Sequence, residues 1–300
     1  MAVNPDFVIA GAAKSGTTAL YDYLSRHPAV FMPSEKEPGF FSADVPGGVA
    51  TLEEYRSLFA TAPSNSLTGE ASTRYLYSRV AIPRLMEHNP DVKVVVILRN
   101  PVDAAYSMHG YAYRYGHEDH ADFEHAWHAQ PVHLARKMRT SSESDEQIFE
   151  YDYRAIFRYA DQVRRLREHV PARQCHFMVY EDFFADPARH YAGLLEFLGL
   201  APAPAQTFSI VNGYLGVRSP TVERLLRRPP KLIDFLYAPV RPLIKAVGLR
   251  PGLLIRRMNW GRQHKPTLRP AFREELERYF SDDVAEIERL LGRRLWSGCK

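Results

Sequence analysis

Two runs of the chain are apolar without a break. Phe7-Val8-Ile9-Ala10-Gly11 ends in a glycine, and Val92 to Leu98 carries Val94, Val95, Val96, Ile97 and Leu98 in succession. Short unbroken runs of this kind predict strands buried on both faces, as in a parallel sheet. Cys175 to Tyr180 predicts a third strand. Between these runs the period changes. Thr17 to Arg26 sets Leu20, Tyr23 and Leu24 at helical spacing before Pro28 stops it. An arginine-rich segment from Tyr151 to His169 predicts a helix, as does Tyr191 to the stop at Gly199. Pro270 to Gly292 predicts a terminal amphipathic helix, or two. Strands alternating with helices predict an α/β fold, a parallel β-sheet flanked by helices.

One stretch breaks the pattern. Arg218 to Arg257 holds ten Lys/Arg against Glu223 and Asp234, interleaved with leucines and aromatics and broken by six prolines. It is net +8 in a chain of net +4, so the remaining residues are net acidic. This basic, proline-broken arm reads as a lid, an acceptor-side arm or a peripheral membrane contact rather than as sheet. The excess positive charge suits an anionic ligand without singling out nucleic acid. The two cysteines, Cys175 and Cys299, form neither a disulfide framework nor a zinc spacing, so a reducing compartment is the default. The first strand begins at about Phe7, which leaves no room for a signal peptide, and no apolar run is long enough to span a bilayer. The expectation is a cytoplasmic protein.

The candidate chemistry begins where the first strand meets the first helix. Gly11-Ala12-Ala13-Lys14-Ser15-Gly16-Thr17-Thr18 is a glycine-bounded loop. A helix N-terminus offers unpaired N–H groups and partial positive charge, Gly16 lets backbone approach a ligand, Lys14 adds a full charge, and Ser15, Thr17 and Thr18 add hydroxyls. The plainer reading is a tight turn capped by Ser15 or Thr17. An ATP loop requires lysine directly after its second glycine. Here lysine precedes Gly16 by two residues, which argues against a nucleotide kinase. A second candidate anion site follows the strongest strand: Arg99-Asn100-Pro101, then Asp103 and Ser107 at the start of a helix. Arg99 can grip a phosphate bidentately. Its alternative is an ion pair with Asp103 and a capping role for Ser107.

Lys14-Ser15-Gly16-Thr17-Thr18, then Leu20, His27-Pro28 and Lys36-Glu37-Pro38-Gly39-Phe40-Phe41, resembles the ordered motif set of 3′-phosphoadenosine 5′-phosphosulfate (PAPS)-dependent sulfotransferases, in their carbohydrate and bacterial branches. The resemblance implies a P-loop-like fold and one sulfotransferase domain over residues 1–300, with residues 218–257 as lid or acceptor-side arm. It implies PAPS as donor, with Lys14 stabilising the leaving phosphate and Glu37 as general base, with Phe40 and Phe41 as the apolar wall expected to desolvate it. The plainer reading of Glu37 is a surface pair with Lys36, and Glu70 and His109 are the competing bases. Arg99 and Ser107 resemble the 3′-phosphate site. Tyr180-Glu181-Asp182-Phe183 resembles a nucleotide-proximal element, and Gly261-Arg262 resembles a late loop that closes on the same phosphate.

Gly69-Glu70-Ala71-Ser72-Thr73-Arg74-Tyr75 is similar to an acceptor-contacting element, which makes Glu70, Ser72 and Arg74 acceptor-side candidates, with His109 a fourth. Heparan-type members carry lysine where Ala71 stands and can carry histidine where Gly39 stands, which argues against a glycosaminoglycan acceptor. The expected partner is a small-molecule, sugar or lipid-like acceptor, not nucleic acid. Trp296 reads as core packing. His117, His120, His125, His128 and His133 crowd together, and His125 and His128 share a helical face. Phe123 to Ala126 resembles a family helix, so this cluster is expected to be polar helix surface and no metal is expected. A non-catalytic binder of nucleotides or polyanions is the rival of a different class; it gives Lys14 and Glu37 no task.

Overall fold

The computed structural model describes residues 4–45, 47–115, 117–130, 152–202, 208, 215–217, 219, 222, 255, 258–262 and 266–296. The predicted first strand is β1 (Phe7–Gly11), followed by α1 (Thr17–Ser25), a two-residue β2 (Val30–Phe31) and α2 (Leu52–Ser57). Then come β3 (Leu67–Ala71), α3 (Arg74–Tyr77), α4 (Ala81–His88), β4 (Lys93–Leu98) and α5 (Pro101–Tyr115). Residues 123–130 are helical. The second half holds α6 (Tyr153–Ile156), α7 (Tyr159–His169), β5 (Cys175–Val179), α8 (Tyr180–Ala185) and α9 (Pro187–Leu198). A β6–β7 pair (Leu215–Val217, Trp260–Arg262) and α10 (Pro270–Leu291) complete the described elements.

Five strands form one parallel sheet in the order β2-β3-β1-β4-β5. β1 and β4 lie side by side at its centre, so the loops after them share the carboxyl edge where open α/β sheets bind ligands. Alternation along the strands sorts the core into two halves. Phe7, Ile9, Val95 and Ile97 pack with α1 and α9 through Leu20, Leu24, Leu194 and Leu198. Val8, Ala10, Val94, Val96 and Leu98 face the other layer, with Val102, Met108, Leu166, Leu276 and Phe280. That is the burial on both faces read from the apolar runs.

Three elements differ from the hydropathy reading. The 151–169 segment is two helices, because Phe157 leaves helical geometry and the new start at Tyr159 is capped from a distance. The Asp283 carboxylate accepts the Tyr159 and Ala160 N–H groups at 2.8 and 3.1 Å. β3 was not anticipated as a strand, since Leu-Thr-Gly-Glu-Ala is no apolar run. Its glycine is steric: a Cβ on Gly69 would stand 2.2 Å from the Phe7 ring. Gly261 and Arg262 lie on β7, antiparallel to β6, rather than in a loop. The terminal amphipathic segment is a single helix ended by Gly292 at φ 66. Apart from residues 219, 222 and 255, the 218–257 arm lies outside the described residues, as do His133 and Cys299.

Candidate active site

The loop between β1 and α1 is built from backbone and small side chains. Gly16 is the N-cap of α1 in the left-handed region (φ 87), and Lys14 is left-handed too (φ 59). Ala12 N–H donates to the Ile97 carbonyl at 2.8 Å, which ties the loop to β4. Ser15 is fully buried, and its hydroxyl turns inward to the Ala13 carbonyl at 3.3 Å. No side chain caps α1 and no acidic residue lies in its first turn, so the capping role expected of Ser15 or Thr17 in the plainer reading is not taken up. An anion would meet the positive end of the helix without a resident carboxylate. Gly16 also has no room for a side chain: a Cβ there would lie 2.9 Å from the Phe184 ring and 3.1 Å from Tyr180. The Lys14 ammonium sits 4.5 Å from the centre of the Tyr111 ring of α5. From Tyr111 the aromatic faces continue to Tyr115 (4.5 Å) and Trp260 of β7 (5.2 Å).

Arg99 leaves the end of β4 and reaches back to this loop. Its Nη1 donates to the Lys14 carbonyl at 3.0 Å, and its guanidinium lies 4.3 Å from the centre of the Tyr180 ring. The alternative pairing with Asp103 is absent, because Asp103 pairs with Arg273 of α10 at 3.1 Å. Nor is Ser107 a cap: Asn100 caps α5 by accepting the Val102 N–H at 3.0 Å, and Ser107 lies half-buried within the helix. The Arg99 Nε is buried without a hydrogen-bond partner. A buried, unsatisfied cationic donor is costly, and an anion beside it removes the cost. The residues present therefore suit an anionic donor.

The Tyr-Glu-Asp element carries more structure than a strand-end turn. Glu181 accepts the Asn100 N–H at 3.1 Å on one oxygen and the Trp296 indole N–H at 2.8 Å on the other. Trp296, read as packing alone, thus tethers the chain's end to the segment that presents Arg99. Tyr159 carried no signal in the sequence. It is fully buried, its hydroxyl lies beside Ser15 and Arg99, and burial pushes its pKa far above the ordinary tyrosine value.

Glu37 belongs to a turn pinned against the end of β3. It is left-handed (φ 64), as is Gly39 (φ 62). Its N–H donates to the Ala71 carbonyl at 2.9 Å. Its carboxylate accepts the Thr73 N–H at 2.7 Å and the Thr73 hydroxyl at 3.1 Å, and pairs with Lys36 Nζ at 2.8 Å. The expected apolar wall is elsewhere: Phe40 stacks on Tyr55 at 4.9 Å, and Phe41 packs among Tyr55, Tyr75 and His88. Glu37 is surrounded by polar groups and remains about 30% exposed. Thr73 bridges to the first loop, its carbonyl lying 3.3 Å from where a Cβ on Gly11 would stand. A cleft of about 680 Å³ opens on Glu37, with Arg74, Glu35, Lys36 and Glu54 among its walls.

The four acceptor-side candidates separate. Arg74 lines the cleft and its guanidinium donates to the Gly47 carbonyl. Glu70 and Ser72 lie beneath the turn, 1% and 0% exposed. Tyr55 and Ser72 hydroxyls donate to the two Glu70 oxygens at 3.2 and 2.8 Å, and burial pushes the Glu70 carboxyl up to about 7. His109 is buried within α5, where Nε2 donates to the His120 carbonyl at 2.8 Å and burial lowers its pKa. In the histidine segment, His128 pairs with Glu275 at 2.9 Å, and His120 lies against His125 with its ring tilted, centroids 4.3 Å apart. Among the described residues no three metal-ligating side chains converge. Nor is any helix among them long and apolar enough to cross a membrane. Burial pushes the Cys175 thiol up to about 11, which leaves it unreactive.

A parallel sheet with a glycine-bounded loop after β1 and an arginine at the end of β4 that reaches back to that loop defines an α/β protein of P-loop-like build. The sulfotransferase domain family model matches residues 4–213, and the chain belongs to that family of enzymes. The crystal structure of a sulfotransferase from Alicyclobacillus acidocaldarius superposes with a TM-score of 0.72 at 26% identity, covering 98% of both chains. Human heparan sulfate glucosamine 3-O-sulfotransferase 3B1 is 30% identical over 65% of this chain and 46% of its own length. Human bifunctional heparan sulfate N-deacetylase/N-sulfotransferase 2 is 28% identical over 66% of this chain and 22% of its own. The chain thus spans less than half the length of these curated relatives.

Proposed function

We propose that the chain transfers a sulfuryl group from PAPS to an acceptor hydroxyl or amine, with Lys14 and Glu37 as catalytic residues. The observation that carries this reading is the meeting of two cationic groups on one loop, Lys14 in it and Arg99 bonded to its carbonyl at 3.0 Å. Lys14, Ser15, Gly16, Thr17 and Thr18 hold the 5′-phosphosulfate through backbone N–H groups, hydroxyls and the ammonium. Arg99 and Ser107 take the 3′-phosphate, Tyr180 backs the arginine, and the Gly261–Arg262 strand closes on the same end. The acceptor oxygen or nitrogen forms a bond to sulfur as the bond from sulfur to the bridging phosphate oxygen breaks. The electron pair leaves on the 5′-phosphate, where Lys14 offsets the charge. The acceptor proton passes to Glu37, and no metal enters.

The cleft before Glu37 favours an uncharged or amine-bearing acceptor over a polyanion. Glu35, Glu37 and Glu54 face it against Lys36 and Arg74, and both cations are already engaged, by Glu37 and by the Gly47 carbonyl. A small molecule, a sugar or a lipid headgroup meets that requirement. The sparse cysteines support a cytoplasmic setting, and residues 218–257 act as a lid or as a peripheral membrane contact. Incubation with PAPS labelled in its sulfuryl group and a panel of uncharged, amine-bearing and polyanionic acceptors tests the reading. Transfer that is lost in Lys14→Ala and persists in excess chelator is expected. Binding of nucleotide without transfer to any acceptor would favour the non-catalytic rival, and loss of activity with chelator would restore a metal role to the histidine segment.

A further inference from the structure

The Glu70 carboxyl is buried beneath the Glu37 turn, yet no step of the proposed transfer uses it. A buried carboxyl is costly unless its hydrogen bonds are made. Here they are made by hydroxyls: Tyr55 at 3.2 Å and Ser72 at 2.8 Å, with the Tyr75 hydroxyl facing the same group. An ionised carboxylate only accepts. The single Ser72 proton is therefore committed to Glu70, and the lone pairs of the Ser72 oxygen are left for the Gly39 N–H, which donates to it at 2.9 Å. The residues on either side act on the same turn. The Ala71 carbonyl accepts the Glu37 N–H at 2.9 Å, and Thr73 donates its N–H to the Glu37 carboxylate at 2.7 Å. Three consecutive residues thus strap a turn in which Glu37 and Gly39 are both left-handed, a conformation costly for glutamate.

We propose that Glu70 is a positioning residue for the transfer reaction: by fixing the direction of the Ser72 hydroxyl it holds the Glu37–Gly39 turn in the conformation that presents the Glu37 carboxylate. The inference rests on the reading of Glu37 as base. Glu70 itself is shut off from any acceptor. Burial is the main reason its carboxyl titrates near 7, with the Glu37 charge across the turn adding to it, and the Tyr55, Ser72 and Tyr75 hydroxyls opposing it. Protonation gives this group of hydroxyls a donor where it had an acceptor, and frees the Ser72 proton to turn away. The strap then loosens as pH falls through the neutral range.

The experiment has one readout that needs no acceptor. Labelling with carbonyl-¹³C proline and ¹⁵N glycine confines the signals to three Pro–Gly pairs, 38–39, 46–47 and 251–252. The Gly39 amide should shift with a midpoint near the Glu70 value of about 7 in the wild-type chain and lose that titration in Glu70→Gln and Ser72→Ala. In the transfer assay, Glu70→Ala should lower kcat on the order of 10- to 100-fold by misplacing the base. Affinity for 3′-phosphoadenosine 5′-phosphate (PAP) should be unchanged, and the Glu70→Ala/Ser72→Ala double variant should be no slower than either single one. Glu70→Gln keeps the side chain's shape, so it decides the matter if Glu70→Ala does not fold. A Gly39 amide that is indifferent to pH, or that titrates equally in Glu70→Gln, overturns the proposal. Full turnover in Glu37→Gln would remove the base assignment instead, and would leave the Gly39 result standing.

Discussion

The loop after β1 and the Glu37 turn lie near one another, where the Thr73 carbonyl approaches Gly11, but they are made of different materials. The loop from Ala12 to Thr18 is shaped by backbone: left-handed Lys14 and Gly16, a main-chain bond to β4, and an uncapped helix start. The Glu37 turn takes the Ala71 carbonyl and the Thr73 N–H from the main chain and is otherwise held by the side chains of Glu37, Ser72, Thr73 and Lys36, with Glu70 beneath. Backbone N–H groups are supplied by any residue, so such a loop is specified by where glycine, lysine and hydroxyls fall. A turn held by side chains is specified by which partner each one meets.

That contrast predicts different failures. The largest concern the two residues proposed as catalytic. Glu37→Gln should lower kcat about 10²–10⁴-fold with PAP affinity unchanged, since the amide retains the shape and loses the proton acceptor. Lys14→Ala should cost on the order of 10²–10³-fold in a protein that melts at the wild-type temperature, since its charge acts mainly on the leaving group. Single-turnover kinetics with calorimetric PAP binding checks both. Next is Gly16→Ala. The added Cβ would meet the Phe184 and Tyr180 rings at 2.9 and 3.1 Å from a φ of +87. About 1–3 kcal/mol of strain follows, read as a lower denaturation midpoint and weaker PAP binding together.

The same contrast explains what the sequence showed. The central strands were legible because β1 and all but the first residue of β4 are buried on both faces and so are apolar from Phe7 to Gly11 and from Val94 to Leu98. The loop after β1 was legible as a strand-to-helix turn because its glycines and the helical spacing after them mark its two ends. β3 was hidden because it spends its pattern on Gly69, which clears Phe7, and on Glu70, a buried carboxyl that hydropathy assigns to the surface. The apolar wall expected around Glu37 failed for a related reason. Two adjacent phenylalanines are apolar whichever way they point, and only the fold turns them toward Tyr55 and Tyr75. Thr73, Tyr159 and the Trp296–Glu181 tether depend on neighbours 36, 144 and 115 positions away, which no local pattern records.

Two smaller effects sharpen the comparison. On the Glu37 side, the Glu70 carboxyl has a folded pKa of about 7, raised above its ordinary 4.5. A raised carboxyl stabilises the fold fully below the unfolded value, and that contribution is lost as pH rises through the folded one. Thermal stability should therefore decline between those two values, and Glu70→Gln should flatten the decline. On the donor side, Trp296→Phe removes the 2.8 Å indole bond to Glu181. It should cost about 1 kcal/mol and weaken PAP binding slightly without altering the pH profile of transfer.

The central claim is that Lys14 and Arg99 frame one site for a nucleotide carrying two separate phosphate groups. Calorimetric titration of the chain with PAP and with 5′-AMP, repeated on Arg99→Ala, tests it directly. A charge-assisted contact to the 3′-phosphate contributes about 1.5–3 kcal/mol, so PAP should bind on the order of 10- to 100-fold more tightly than 5′-AMP, and Arg99→Ala should erase most of the difference. Equal affinities for the two nucleotides in the wild-type chain would contradict the account.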